Sequence, residues 1–271
     1  MIFLGKNLGF IGGGNMAEAL VKGMLEAELL SSSQILISDK DKKRLHYWKE
    51  KLGILATEEN AEVVGFAEVV ILAVKPPAVD EALQSCLSVF TRDKLLISIV
   101  AGTTTRYLEN IFSHPLRVVR VMPNLPVLVR EGISALTAGR YAQKEDLLLT
   151  ENIFRAVGEV VIVSENLMEA VTGLSGSGPA YVFVILEALA DAGVLEGLTR
   201  EMALKLAIQT VIGASRMVQL AGEHPAVLKD RVTSPGGTTI AGLQILETEG
   251  IRGMIMKAVA ASTQRAQELR R

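Results

Sequence analysis

Short apolar runs separated by glycine, proline and polar turns divide the first part of the chain. Residues 8–11, 34–38, 68–74, 94–100 and 116–122 are such runs. The run 68–74 (Glu-Val-Val-Ile-Leu-Ala-Val) is almost continuously apolar, which is the pattern of a strand buried on both faces of a parallel sheet. Between the first two runs, Met16, Leu20, Val21, Met24 and Leu25 recur at helical spacing. Residues 132–138, a helix from about 143 to 157, and residues 159–163 complete an α/β domain near residue 164. Beyond it no strand pattern occurs. Ser164-Glu165-Asn166 opens a short helix to about Thr172, and the glycine-serine turn 173–178 feeds a long helix with Pro179 at its start, where a missing N–H costs nothing. From Ala180 to Leu195 the clearly polar side chains are Glu187 and Asp191. A helix with so little face for water predicts a large apolar subunit interface, most simply a twofold dimer. The alternative is a central helix wrapped by its own chain. A further helix is expected over about 200–221.

The turn that closes the first strand carries the chemistry. Gly12, Gly14 and Ala17 occupy the three small-residue positions of the dinucleotide fingerprint: one for the tight turn, one for approach of a pyrophosphate to the backbone, one for close helix–strand packing. The N-terminus of the following helix presents N–H groups and a positive dipole end. Ile11, Gly12, Gly13, Gly14, Asn15 and Met16 are therefore candidate cofactor contacts. The fold class that follows is α/β, an N-terminal Rossmann dinucleotide-binding domain (1–164) followed by an all-helical dimerisation domain (165–271).

In an open α/β sheet, ligands sit beyond the carboxyl ends of the strands, so the ends at 12–16, 38–40, 73–76, 99–102 and 122–124 are expected to line one crevice. Ser38 and Asp39 end the second strand, Asp39 standing 25 positions after Gly14. An acidic residue there suits the adenosine ribose hydroxyls, whereas Lys40, Lys42, Lys43 and Arg44 suit a 2′-phosphate. Asp39 also reads as a cap for a helix over about 41–52, with the basic residues as its solvated face. Asn60 opens a further helix; capping is favoured over a ribose contact.

A second glycine turn, Ser234-Pro235-Gly236-Gly237, opens a helix whose first turn carries Thr238 and Thr239. Free N–H groups and two hydroxyls make this a second candidate anion site; an ordinary capped helix is the other reading.

Composition narrows the classes. With 28 basic and 30 acidic residues, no basic excess points to nucleic acid or an anionic membrane. The one cysteine, Cys86, excludes an internal disulfide and a cysteine metal cluster and fits a reducing compartment. His46, His114 and His224 show no ligand spacing, so no metal is expected. Gly5, Lys6 and Asn7 break any leader-like apolar core, and no apolar run reaches the roughly 20 residues of a membrane span. A cytoplasmic protein is the expectation.

Several blocks together resemble the pyrroline-5-carboxylate reductase family over nearly the whole chain: residues 9–12 with Met16-Ala17, Ala73-Val74-Lys75-Pro76, Arg120-Val121-Met122-Pro123-Asn124, Arg130-Glu131-Gly132, and, most specifically, residues 172–180 (Thr-Gly-Leu-Ser-Gly-Ser-Gly-Pro-Ala) and 234–239 (Ser-Pro-Gly-Gly-Thr-Thr). The resemblance implies reduction of 1-pyrroline-5-carboxylate to L-proline by NADP(H), with NAD(H) accepted, the last step of proline biosynthesis. It implies a homodimer, gathered in the family into larger rings such as a pentamer of dimers. It places Ala73, Val74, Lys75, Pro76 and Ala101 on the nicotinamide side and Gly237, Thr238 and Thr239 in the substrate loop, with Glu165 at a substrate-side position; stabilising the first turn of its own helix is an equal reading of Glu165. Arg231 departs from the smaller polar residue that some members carry. Thr239 is the expected proton relay to the imine nitrogen. A 3-hydroxyacid dehydrogenase shares the two-domain plan but uses a lysine early in the long helix, and 180–195 contains none. A non-catalytic dinucleotide sensor would have no need of the 234–239 loop.

Overall fold

The computed structural model describes residues 6–271; Gly5 and the rest of the opening segment, used above against a leader, lie outside the described residues. The chain divides into two compact units, one running to Gly176 and taking in Ser262–Arg271, the other Ser177–Ala261.

The first unit is built on β1 (Leu8–Ile11), α1 (Asn15–Glu26), β2 (Ile35–Ser38), α2 (Lys42–Leu52), β3 (Leu55–Thr57), α3 (Asn60–Phe66), β4 (Val69–Leu72), α4 (Val79–Gln84), β5 (Leu95–Ser98), α5 (Thr105–Ile111), β6 (Arg117–Met122), β7 (Gly132–Ala138), α6 (Lys144–Arg155), β8 (Gly158–Ile162) and α7 (Met168–Val171). The eight strands form one sheet in the order β3-β2-β1-β4-β5-β6-β7-β8. Every pairing is parallel except β6–β7. Only a short 3-10 stretch, Leu125–Val129, joins β6 to β7. A parallel return needs a dozen or more residues of crossover, so the short connection forces the reversal.

The apolar runs of β1, β4 and β5 are buried at every position. Leu8, Phe10, Ile35, Ile37 and Ile71 pack with Leu20, Val21 and Met24 of α1 on one face, and Val70, Leu72 and Leu96 with Val63, Val64 and Leu83 on the other. At about 1.5–3 kcal/mol for each fully buried aliphatic side chain, this two-sided core holds the strand ends in register.

The second unit contains α8 (Gly178–Leu195, reached through the π-helical turn Thr172–Gly176), α9 (Arg200–Ala221), α10 (Pro225–Arg231), α11 (Thr238–Thr248) and most of α12 (Ile251–Glu268). Among its described residues only Ala190, Ala203, Ala207 and Leu228 are buried hydrophobics. α8 and α9 cross closely: a Cβ added at Gly193 would stand 2.9 Å from the Ala203 Cβ. The rest of α8 faces outward, with Phe183 at 56% and Val184 at 65% exposure. That rules out a central helix wrapped by its own unit. The helical stretch Glu165–Leu195 contains an 18-residue window of mean hydropathy 1.5, long and apolar enough to cross a membrane by length and composition alone. This qualifies the expectation that no run reaches that length: the stretch passes by overall composition, although Glu187 and Asp191 interrupt the apolar run and Ser177 separates the π turn from α8.

Candidate functional site

The strand order reverses direction between β1 and β4, and the crevice beyond that point is where an open α/β sheet takes a ligand. There the chain leaves β1 through Gly12, whose φ is +100° and where an added Cβ would stand 2.7 Å from the Ala73 carbonyl oxygen, leaving no room for a side chain. Gly12 N–H donates to the Ser38 carbonyl at 2.9 Å, and Ala73 N–H to the Ile11 carbonyl at 2.8 Å. The turn is thus sewn to β2 and β4.

The rest of the turn is braced from α2. The fully buried Trp48 donates its Nε1–H to the Gly13 carbonyl at 3.0 Å, and Arg44 Nε donates to the same oxygen at 2.8 Å. Arg44 also pairs with Glu18 of α1 at 3.0 Å. Burial pushes the Glu18 carboxyl up, but hydrogen bonds from Lys22, Tyr47 and Arg44 outweigh it and hold the group at about 2. Asp39 accepts from Gly13 N–H at 2.8 Å through one oxygen and from Asp41 N–H at 2.9 Å through the other. It is a turn brace rather than a helix cap. The cap of α2 is Asp41, which accepts from Lys43 N–H at 2.8 Å.

A cavity of about 310 Å³ opens over this turn, lined by residues of the β1, β2 and β4 ends and by Asn60, Ala78, Glu81 and Ala82. Of the sequence-predicted cofactor contacts, Ile11, Gly12, Gly14, Ser38, Asp39, Asn60, Ala73, Val74 and Lys75 line it; Gly13, Asn15, Met16, Pro76 and Ala101 do not. The ends at 99–102 and 122–124 do not reach it either. Asn60 proves to be neither cap nor bystander. It is the first residue of α3; its Oδ1 accepts from Ser38 Oγ at 2.7 Å, and its Nδ2 donates to the Ala82 carbonyl at 3.1 Å and to Ser85 Oγ at 2.9 Å. It fixes α4 against β2 across the crevice floor. Sequence reasoning missed Glu81, which pairs with Lys40 at 2.5 Å over the cavity mouth. No local pattern links residues so far apart in the chain.

The residues fit a dinucleotide. A Cβ built at Gly14 meets nothing within 4 Å, so the space above that Cα is left open. Gly14 caps α1 without a side chain of its own, leaving the first amides and the helix dipole to an anion. A larger hollow of about 580 Å³ lies beside α5, lined by Arg106, Glu109, His114 and Arg140 among others. It includes none of the glycine turn, so chemistry rather than size selects the smaller cavity.

Glu165 lies in the first unit and is engaged there. Its Oε2 accepts from Thr105 Oγ1 at 2.7 Å and its Oε1 from Arg120 Nη1 at 2.5 Å. Arg120, on β6, also meets Glu169 at 3.3 Å, and both of these side chains are almost wholly buried. In the second unit Gly237 caps α11, again with no side chain, and its own N–H donates to the Ser234 carbonyl at 3.1 Å. Thr238 and Thr239 follow in the first turn, as expected. Arg231 is paired with Glu223 at 2.7 Å.

A sheet of this order with an open glycine turn at its switch point defines an NAD(P)-dependent oxidoreductase of the Rossmann class. Comparison with known proteins agrees for both halves: residues 7–102 match the family model described as NADP oxidoreductase, coenzyme F420-dependent, and residues 165–269 match pyrroline-5-carboxylate reductase dimerisation. The chain is 46% identical to a pyrroline-5-carboxylate reductase of Methanosarcina acetivorans, covering 97% of this chain and 98% of that protein. It is 38% identical to the Escherichia coli enzyme over the same shares. Among solved structures, a pyrroline-5-carboxylate reductase of Coxiella burnetii superposes with a TM-score of 0.90 at 41% identity, covering 98% of this chain and 99% of that one. A Plasmodium falciparum pyrroline carboxylate reductase with NADP bound superposes with a TM-score of 0.88 at 32% identity, covering 98% of each chain. The chain belongs to the pyrroline-5-carboxylate reductase family. The dimerisation match covers the exposed apolar helices and opens at 165, where the sequence pattern changes; the compact helical unit opens at Ser177. The chain therefore oligomerises through this segment.

Proposed function

We propose that the protein reduces 1-pyrroline-5-carboxylate to L-proline with NADPH, NADH being accepted, as the last step of proline biosynthesis. The observation that carries this reading is the open Gly14 position over the crevice at the β1–β4 switch, in a chain matched to this family from end to end. A bound reduced nicotinamide supplies the hydride. The chain must hold both reactants in place and deliver one proton to the imine nitrogen, and neither task requires a nucleophile or a metal.

The uncapped first amides of α1 take the pyrophosphate, and Val74 and Lys75 at the end of β4 flank the nicotinamide half, together with the neighbouring Pro76 and Ala101. Asp39 braces the turn through both oxygens and keeps lone pairs for the adenosine ribose. Arg44 is committed to Glu18 and Gly13, and Lys40 at the mouth would have to exchange Glu81 for a 2′-phosphate. The amides after Gly237 and the Thr238 hydroxyl take the substrate carboxylate. The Thr239 hydroxyl relays the proton. Glu165 shares its charge with Arg120, which makes it a support for Thr105 and Arg120 first and a counter-charge for the imine second. The exposed apolar helices pair as a homodimer, and the family resemblance supports further gathering into a pentamer of dimers. The balanced surface charge favours no nucleic-acid or membrane partner, and one buried thiol suits the cytoplasm.

The test is direct: purified protein, NADPH and pyrroline-5-carboxylate are mixed and absorbance of the reduced nicotinamide is followed, then repeated with NADH. No substrate-dependent oxidation refutes the reading. Thr239→Ala is expected to lower kcat by about ten- to a thousandfold with Thr239→Ser retaining most of it; unchanged kinetics remove Thr239 from the mechanism.

A further inference from the structure

The far end of the chain returns to the sheet. Beyond β5 the backbone passes through residues 99–103 to Thr104, the cap of α5, whose Oγ1 accepts from Tyr107 N–H at 3.1 Å. Residues 269–271 lie along this loop. Arg271 N–H donates to the Gly102 carbonyl at 2.7 Å, while the Arg271 main-chain oxygen accepts from Thr104 N–H at 3.3 Å and Thr104 Oγ1 at 2.8 Å. Main-chain bonds thus run in both directions between the two segments. Gly102 has a φ of +73°, and a Cβ there would stand 2.8 Å from the Leu269 carbonyl oxygen; the segment needs a glycine opposite it.

Side chains extend the attachment. The Arg271 guanidinium lies 3.5 Å from Asp80 of α4, and the same aspartate accepts the Tyr107 hydroxyl. Arg270 lies 3.6 Å from the buried Glu169. α4 contributes Glu81 and Ala82 to the crevice wall. Residues 269–271 therefore join the loop after β5 to a helix that bounds the cofactor cavity.

Topology says which half of a cofactor this concerns. With the pyrophosphate at the β1 turn and the adenosine ribose beyond β2, the other nucleotide lies beyond β4 and β5. We propose that residues 269–271 are a positioning clamp that sets the loop 101–104 against the nicotinamide half of the cofactor, leaving the adenosine half to the α1 turn. This rests on the reductase reading above.

The experiment compares the full chain with a variant ending at Glu268 and with Arg271→Glu, which keeps the backbone and opposes Asp80. Calorimetry gives the Kd for NADPH and for 2′-phospho-ADP-ribose, which lacks the nicotinamide ring; stopped-flow gives hydride-transfer rates. For the shortened chain, NADPH affinity and the transfer rate are each expected to fall about tenfold, with the fragment's Kd changed by less than about twofold. Arg271→Glu should shift NADPH in the same sense by about threefold. Equal loss for NADPH and the fragment, or no loss for either, overturns the clamp. A full chain that binds neither ligand overturns the reductase reading itself.

Discussion

Arg120→Met tests the most heavily charged part of the interior. Arg120 retains 2% of its side-chain exposure on β6, Glu169 3% and Glu165 24%. One guanidinium serves both carboxylates: 2.5 Å to Glu165 Oε1, 3.3 and 3.4 Å to Glu169 Oε1. Methionine fills much of the same volume and removes the charge. Glu165 keeps the Thr105 hydroxyl and some water. Glu169 Oε1 loses its cation in the interior, with Arg270 still 3.6 Å from the other oxygen. Breaking a buried pair from one side costs about 3–5 kcal/mol, mostly the desolvation of the charge left behind. At about 2–4 °C per kcal/mol for a chain of this size, the melting temperature should drop by about 6–20 °C. The decisive measurement is the double variant Arg120→Met/Glu169→Leu, followed by circular dichroism. It should melt above the single Arg120→Met chain, with a coupling of about 1–3 kcal/mol. A single variant within about 3 °C of the parent, or strictly additive effects, refutes the reasoning.

Gly14→Val should fold normally, because a Cβ there meets nothing within 4 Å, yet lose NADPH binding by calorimetry; Gly12→Ala, forced against the Ala73 carbonyl at φ +100°, should instead lower the melting temperature. Glu18, depressed from 4.5 to about 2, contributes stability that is complete above about pH 4.5 and lost as pH falls through 2. Glu18→Gln should therefore cost about 1–2 kcal/mol at neutral pH, after allowance for solvent screening, and flatten the acid-unfolding profile across that window; parallel profiles would contradict this. Cys86, pushed up to about 12 by burial, is expected to ignore an aromatic disulfide reagent in the native state and react fully in denaturant; rapid native labelling would mean the α4 region opens.

Local pattern revealed most of the strands because each is a short, mostly apolar run bounded by turn residues. It missed β3, Leu55–Thr57, which is three residues long with Leu55 47% exposed, too short to show a period and too wet to look like core. It could not tell that β7 is antiparallel, since direction is set by the length of the connection and not by the strand's own residues. It offered Asp39 as a cap of α2, beside a ribose contact, where the structure caps with Asp41: two aspartates bracket the same turn, and only the position of Gly13 decides between them. The glycine turn itself was legible, but its bracing by Trp48, Arg44 and Asp39 was not, because those contacts span α1 and α2. Helices α10 and α12 were not anticipated, and the return of residues 269–271 to Gly102 leaves no trace in either segment. The apolar surface of α8 was legible because so few polar side chains leave the helix almost no face for water, although the alternative of a helix wrapped by its own chain fell only to the observed exposure of Phe183 and Val184.

That surface has a consequence for how the protein fails. A helical unit with four buried hydrophobic residues among those described has little interior until a second copy arrives, so dilution acts on it as a denaturant. Its melting temperature should climb with protein concentration, as for any obligate assembly. A cell that makes too little of it would hold monomers whose sheet unit is folded and whose helical unit is not, rather than a proportionally smaller pool of working enzyme.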